Sequence, residues 1–218
     1  MKFSDAFTDM DNFLKNNLNT ITCNEIYQIK EDFYQIVKKL SGSTANLTGI
    51  TEILVFRFLY HALKMTDDIE DKSVHNKNHS LFIGKRYKGS NGKIQEPDIV
   101  IEHNYVIQYL FSIKNIMSTV TPTNNEQESS LVQELINENG VCTTAIQDIF
   151  RIENIRHGPH SNFRSITVIF SDVPQRHQKA IDLIHNIFSW HRFLILENNN
   201  KLFLNELNDK LCFYKYTK

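Results

Sequence analysis

The sequence lacks the features that mark membrane, disulfide-stabilised and zinc-binding proteins. No apolar run approaches the roughly 20 residues that a bilayer-spanning helix needs. The first residues, Met1–Asp5, lack the apolar core of a signal peptide. The three cysteines (Cys23, Cys142 and Cys212) are odd in number and far apart, which fits neither a disulfide framework nor a zinc spacing. Since repeats and linkers are also lacking, we expect a single domain in the cytoplasm.

The sequence also lacks an excess of positive charge. Its formal net charge is -1, whereas proteins that bind nucleic acid are often basic overall. This balance counts mildly against tight nonspecific DNA binding, but it allows a locally basic cleft, because a carboxylate-rich site lowers the total. With 41% hydrophobic and 22% charged residues, the composition is that of a globular protein.

The periodicity of the apolar residues predicts alternating helices and strands. Helices are predicted at about 4–18, 22 or 24–41, 49–64, 126–137, 143–156 and 174–188, strands at 79–88, 99–102, 106–113 and 164–171, a loop at 66–78, and a late hairpin at 193–207. This order predicts an α/β protein with a mixed central β-sheet and helices on both of its faces.

The stretch from 96 to 115 contains the most informative residues. Two apolar-rich segments meet at His103-Asn104, which predicts a tight hairpin. Because side chains alternate along a strand, Ser112 and Lys114 share the more polar face, where Asp98 of the first strand could meet Lys114. A carboxylate beside an ammonium group at the end of a sheet can hold a divalent cation and orient a water.

Two further positions are candidates for a site. Glu52 lies in the first turn of an almost wholly apolar helix, either because the helix dipole favours a carboxylate there or because it points at a site. Lys85, Arg86 and Lys88 follow one another at the end of a predicted strand. They are the best candidates for phosphate contacts, although a solvated edge strand explains them equally well.

This order of elements, together with Pro97-Asp98 and Lys114, resembles the restriction-endonuclease-like nucleases, whose signature is PD…(D/E)xK. Lys114 follows Asp98 after a gap of 16, and Glu52 lies where many members place an acid. The resemblance covers about 48–172. It implies a core of order αβββαβ, with 1–47 as an N-terminal helical extension and 173–218 as a C-terminal helix and hairpin.

One position departs from this signature, because Ser112 stands where an acid is expected. In one interpretation, the site has lost a metal ligand and the protein only binds. In the other, which we favour, the acid has moved to the following helix, as in some restriction enzymes with Ser-x-Lys. Glu128 then supplies the carboxylate 14 residues after Lys114, with Glu126 as a neighbouring alternative.

The resemblance also implies an activity. Asp98, Glu128 and the backbone carbonyl of Ile113 would bind Mg²⁺ or Mn²⁺, Lys114 would orient the attacking water, and Glu52 would complete the acid cluster. We therefore expect a metal-dependent DNA endonuclease of a restriction or defence system, acting as a homodimer. The alternatives are a catalytically degenerate nuclease fold that binds nucleic acid or a partner protein and, more remotely, an RNA-directed nuclease.

Overall fold

The computed structural model describes residues 3–41, 48–66, 69–70 and 73–213. The predicted stop of the second helix at Gly42 lies outside these residues. The helices are α1 (Phe3–Asn16), α2 (Cys23–Ser41), α3 (Thr48–Ala62), α4 (Asn124–Gln127), α5 (Ser130–Asn139), α6 (Thr144–Ile155), α7 (Gln175–Ile187) and α8 (Phe203–Leu211). The strands are β1 (Ile69–Glu70), β2 (Ser73–His75), β3 (Ser80–Ile83), β4 (Tyr87–Lys88), β5 (Ile94–Gln95), β6 (Ile99–His103), β7 (Val106–Lys114), β8 (Arg164–Ile169) and β9 (His191–Ile195).

The main sheet has seven strands in the order β1-β2-β3-β6-β7-β8-β9. Neighbouring strands from β1 to β7 are antiparallel, whereas β7, β8 and β9 are parallel. Parallel neighbours need a crossover connection, which α4–α6 and α7 supply. The predicted α/β architecture with a mixed sheet is therefore confirmed. Strands β4 and β5 form a separate two-stranded ribbon inserted between β3 and β6.

Helices cover both faces of the sheet. On one face, α1, α2, α3 and α8 enclose a core that includes Phe58, Phe111 and Phe203. On the other face, α5, α6 and α7 bury Ile146 and Ile184 against the parallel strands. Strand β7 lies between these two layers, and its residues from Tyr109 to Ile113 are buried.

Local signals set the position of α6, which matters for the site. Gly140 ends α5 in the left-handed conformation, with φ of 93°. Thr143 then caps α6, because its side chain accepts a hydrogen bond from the backbone N–H of Ile146. Both signals are visible in the sequence, and the predicted helix at 143–156 is confirmed to within a residue at each end.

Several predicted boundaries in the first half of the sheet are wrong. The predicted loop at 66–78 contains β1 and β2. The single strand predicted at 79–88 is divided into β3 and β4, because Gly84 adopts a positive φ of 60° and turns the chain. The hairpin turns at Asn104-Tyr105 rather than His103-Asn104, and both turn residues have positive φ, as a type I′ turn requires.

Two predictions for helical segments and the C-terminal region also need correction. The helix predicted at 126–137 is divided into α4 and α5, because Ser129 caps a new helix after Glu128. The predicted hairpin at 193–207 is instead the parallel strand β9 followed by α8. Strand β9 pairs with β8, while Phe203, Leu207 and Leu211 follow helical spacing and pack into the core.

Candidate active site

The end of the central strands brings Asp98 beside Ser112. Asp98 directly precedes β6, and the pairing of Ile99 with Phe111 continues towards these two residues. The Asp98 carboxylate oxygen Oδ2 accepts a hydrogen bond from the backbone N–H of Ile113 at 2.5 Å and lies 3.4 Å from Ser112 Oγ. The antiparallel register therefore holds this carboxylate against the end of β7.

Helix α6 adds Asp148, a residue that the sequence analysis did not select. Its buried carboxylate accepts hydrogen bonds from Ser112 Oγ at 2.8 Å and Arg151 Nη2 at 2.9 Å, and it lies 3.0 Å from Lys114 Nζ. Burial alone raises the pKa of Asp148, but the nearby Lys114 and Arg151 charges and the hydrogen bonds outweigh it and lower the pKa. Asp148 is therefore an ionised carboxylate held between two cations.

Arg151 links the two carboxylates of this region. Its Nη2 donates to Ser112 Oγ at 2.9 Å as well as to Asp148, whereas its Nη1 lies 3.8 Å from Asp98 Oδ1. Arg151 is spaced three residues from Asp148, so one face of α6 presents both side chains. We call Asp98, Ser112, Lys114, Asp148 and Arg151 the sheet-end cluster.

Glu52 reaches the sheet-end cluster from α3, on the opposite face of the sheet. Burial raises the pKa of its carboxyl, the Asp98 carboxylate raises it further, and Lys114 and Arg151 oppose the rise. Within the described part of the chain, the Glu52 carboxylate forms no hydrogen bond or ion pair. Glu52 and Asp98 are therefore two acids that repel each other at the end of the sheet.

This pair of acids fits a divalent cation better than Asp148 does. Among the described residues, no group of three or more His, Cys, Asp or Glu side chains is arranged to hold a metal ion. Mg²⁺, however, is commonly bound through one or two carboxylates, with waters and substrate phosphates completing its coordination. Glu52 and Asp98 supply two carboxylates at this end of the sheet, whereas Asp148 is already neutralised by Lys114 and Arg151.

The structure does not bring Glu128 to the sheet-end cluster. Glu128 is exposed after the end of α4 and lines a neighbouring cleft. Glu126 is buried, but its carboxylate completes a capping box with Thr123 and accepts a hydrogen bond from Gln147. The carboxylate beside Ser112 comes instead from Asp148, two helices further along the chain.

The three basic residues selected from the sequence lie in different settings. Lys85 Nζ lies 2.7 Å from Glu102 Oε1, and Arg86 Nε lies 2.7 Å from Glu96 Oε2. Both charges are therefore partly neutralised. Lys88 is exposed and forms no ion pair with any residue that the structure describes, which makes it the most available of the three for a phosphate.

Asp148 and Arg151 were missed because α6 appears from its sequence to be a packing helix. Ile146, Ile149 and Ile152 dominate its pattern. The available signal was an aspartate placed between two buried isoleucines, with an arginine three residues later. An acid at an apolar position indicates a buried partner, since an unpaired buried charge is costly.

Comparison with known proteins gives no independent assignment. No protein-family model, curated protein or solved structure matches this chain. Within the described residues, no helix is long and apolar enough to span a membrane. The function must therefore be argued from the geometry of the sheet-end cluster and Glu52.

Proposed function

We propose that this protein is a metal-dependent DNA endonuclease with a restriction-endonuclease-like core. The order α3, β3, β6, β7, α6, β8 supports the αβββαβ core, with the β4–β5 ribbon as an insertion. The observation that carries the proposal is the convergence of Glu52, Asp98 and Lys114, from three separate elements, at one end of the sheet. A packing role alone does not require two acids and two cations at the same strand ends.

In this proposal, Glu52 and Asp98 would hold Mg²⁺ or Mn²⁺ through their carboxylates. The backbone carbonyl of Ile113 would be a further ligand of the metal. The metal supplies Lewis-acid activation of the water and the phosphate. Lys114 orients the attacking water and stabilises the charge that develops on the phosphate. Arg151 contacts a nonbridging phosphate oxygen, since a guanidinium matches phosphate geometry.

Asp148 acts on the reaction through its neighbours. Its carboxylate contacts Ser112, Lys114 and Arg151 at hydrogen-bond distances, so it fixes the positions of both cations. We infer that Asp148 is a positioning residue rather than the metal ligand that the sequence analysis sought in Glu128. DNA as substrate, a homodimer and a role in restriction or defence follow from the family resemblance and belong to the same proposal.

A second candidate is a degenerate nuclease fold that binds nucleic acid or a partner protein without cutting it. One observation favours it: Ser112 replaces the expected acid, and Asp148 is neutralised by Lys114 and Arg151. Of the acids described at this end of the sheet, Glu52 and Asp98 then remain for a cation. This candidate predicts salt-dependent binding without hydrolysis.

The test is cleavage of supercoiled and linear DNA, and of RNA of matched sequence, with Mg²⁺ or Mn²⁺. We expect the wild type to cut DNA and Asp98→Asn, which keeps the size of the side chain, to be inactive. Cleavage of RNA alone would move the activity to the RNA-directed alternative. Binding without cleavage of any substrate under either metal would support the degenerate fold and contradict the proposed enzyme.

A further inference from the structure

A groove extends from the sheet-end cluster along α6. Its near lobe, of about 360 Å³, is lined by Lys93, Lys114, Asp148 and Arg151 among others. Its far lobe, of about 520 Å³, continues past Phe150. The two lobes adjoin each other, and they share the lining residues Asn91, Lys93, Asn125 and Phe150.

The groove has two distinct walls above a floor formed by α6. The β4–β5 ribbon and its turn supply one wall, with Asn91 and Lys93, and α4 supplies the other, with Asn125. Lys93 Nζ donates a hydrogen bond to Asn125 Oδ1, so this pair bridges the walls between the lobes. Lys93 is exposed, so solvent competes with this hydrogen bond.

The two lobes differ in their charges. In the near lobe, the carboxylates of Asp148 and Glu126 already have partners within the protein, whereas Lys93 adds a cation that no acid in the described residues neutralises. The far lobe is lined by two acids, the exposed Glu128 and Glu153, and by two cations, Lys93 and Arg156, so its charges balance. The near lobe therefore favours a phosphate, and the far lobe favours a neutral group.

The far lobe has the chemistry of a base-binding site. Phe150 is half-buried and lines both lobes beside Asn91 and Asn125, whose side-chain oxygens accept hydrogen bonds from Lys93 and whose NH₂ groups form none within the described residues. Aromatic rings stack on bases, and amides match the donors and acceptors of base edges. Both lobes have volumes typical of small-molecule pockets. A duplex keeps its bases stacked inside, so only an unpaired base reaches such a ring.

We propose that this groove binds a single-stranded segment of DNA next to the scissile phosphate, with one unpaired base stacked on Phe150 and the adjacent phosphate on Lys93. The inference rests on the proposed function in that the scissile phosphate is placed at Lys114 and Arg151. It narrows the substrate from DNA in general to single strands, or to duplexes with an unpaired nucleotide at the cut site.

Binding in EDTA tests the groove separately from catalysis. The probe is a fluorescent DNA single strand of about 12 nucleotides, a length within the usual range for such sites, beside a duplex of the same sequence. We expect the single strand to bind more tightly. Phe150→Leu, which keeps an apolar side chain on α6, should weaken its binding about tenfold. Lys93→Gln should lower the slope of log affinity against log salt by about 0.7.

The control is Tyr105→Leu, which removes an aromatic ring that is 89% exposed at the tip of the β6–β7 hairpin. It should leave binding unchanged. A 2-aminopurine in the strand reports stacking directly, since its fluorescence should be quenched by the wild type and recovered with Phe150→Leu. Equal unfolding midpoints in urea for wild type and Phe150→Leu exclude a folding defect, and Lys93→Gln tests the groove without touching the core.

The outcomes separate this inference from the proposed function. Equal affinity for duplex and single strand would contradict the proposed single-strand binding in the groove. Quenching that persists in Phe150→Leu would contradict the stacking of a base on Phe150. If duplex DNA is then cut at an undiminished rate by Phe150→Leu, the nuclease proposal stands without it. If binding depends on Phe150 but neither metal supports cleavage, the proposed single-strand site is supported and the proposed nuclease activity is contradicted.

Discussion

Two charged clusters of similar composition lie in different parts of this molecule. In the sheet-end cluster, Asp148 is held by Lys114 and Arg151. In what we call the helix clasp (Asp11, Arg57 and His61), Asp11 of α1 is held by two side chains of α3. The Asp148 side chain is 5% exposed, whereas that of Asp11 is 29% exposed.

An acid held by two basic side chains occurs in both places, so this feature by itself does not distinguish a functional site. The clefts beside Asp11 contain no second carboxylate among the residues that the structure describes. The sheet-end cluster instead contains Asp98 and adjoins Glu52, and the mutual repulsion of these two acids is unfavourable unless a cation binds. It is the second and third acids, more than the ion pairs, that distinguish a candidate site from a structural clasp.

The largest expected difference between the clusters is in catalysis. Lys114→Ala should reduce DNA cleavage by about a thousandfold, because it removes the group proposed to orient the water and stabilise the transition state. Arg57→Gln, the matched loss of a cation from the helix clasp, should leave cleavage within about twofold. Initial rates on supercoiled DNA measure both effects. Similar losses of activity in Lys114→Ala and Arg57→Gln would contradict the assignment of catalysis to the sheet-end cluster.

Stability should separate the clusters next. Asp148→Ala leaves Lys114 and Arg151 without their buried counter-charge and should lower the free energy of unfolding by about 3 kcal/mol. Asp11→Ala should cost about 1 kcal/mol, because solvent screens its partly exposed ion pairs. Urea denaturation at neutral pH measures the difference. Equal losses of unfolding free energy in Asp148→Ala and Asp11→Ala would show that burial of Asp148 does not make its ion pairs more important for stability.

The pH dependence of stability distinguishes the surroundings of the two acids. Burial lowers the pKa of His191, a fully buried neighbour of Asp148, to about 3. Below the ordinary histidine pKa of about 6.5, the unfolded chain binds a proton that the folded protein does not, so stability falls with decreasing pH by up to about 1.4 kcal/mol per unit. His191→Gln should reduce this slope between about pH 6.5 and 4.5, while the other histidines with lowered pKa values (His79, His160, His177 and His185) keep part of it.

Asp11→Asn is the control for that slope. Burial raises the pKa of Asp11, but hydrogen bonds from Arg57 and His61 outweigh it and the net pKa is lowered. Its stabilisation is therefore present above about pH 3.8 and is lost as the pH falls further. Between pH 6.5 and 4.5, the urea midpoint of Asp11→Asn should change with pH as steeply as that of the wild type. A different pH slope in Asp11→Asn would contradict the assignment of the slope to His191.

Metal binding should stabilise the protein through the acids at the sheet end and not through the helix clasp. At ten times the dissociation constant, Mg²⁺ or Mn²⁺ should add about 1.4 kcal/mol to the free energy of unfolding. Glu52→Gln should abolish that gain while raising stability without metal, because it removes a carboxylate that burial and Asp98 disfavour. Asp11→Asn should keep the gain. Thermal unfolding with and without metal is the measurement, and an undiminished shift in Glu52→Gln would exclude it as a ligand.

The smallest effect is expected at Glu128. Since it is exposed beside a neighbouring cleft, Glu128→Gln should change cleavage by less than about twofold. Loss of cutting comparable to that of Lys114→Ala would restore Glu128 as the displaced acid.

The sequence was most informative where its signals are local. The helical spacing and caps of α6, the apolar run of β8 and the alternation along β7 were all interpretable, because each depends on neighbours within a few residues. The predicted hairpin at 193–207 failed because a short apolar run does not reveal whether it pairs with the next segment or with β8. The same ambiguity hid β1 and β2 in a polar stretch.

The site shows the same division. By itself, the sequence predicted that Asp98 precedes one strand and that Ser112-x-Lys114 ends the next. It also predicted Glu52 in the first turn of a buried helix, but α3 begins at Thr48 and Glu52 lies just beyond its first turn. Only the tertiary structure decided which acid lies beside Ser112, because the crossover between β7 and β8 places α6, and with it Asp148 and Arg151, above the end of β7. Spacing along the chain favoured Glu128, but proximity in the fold depends on how helices pack against the sheet.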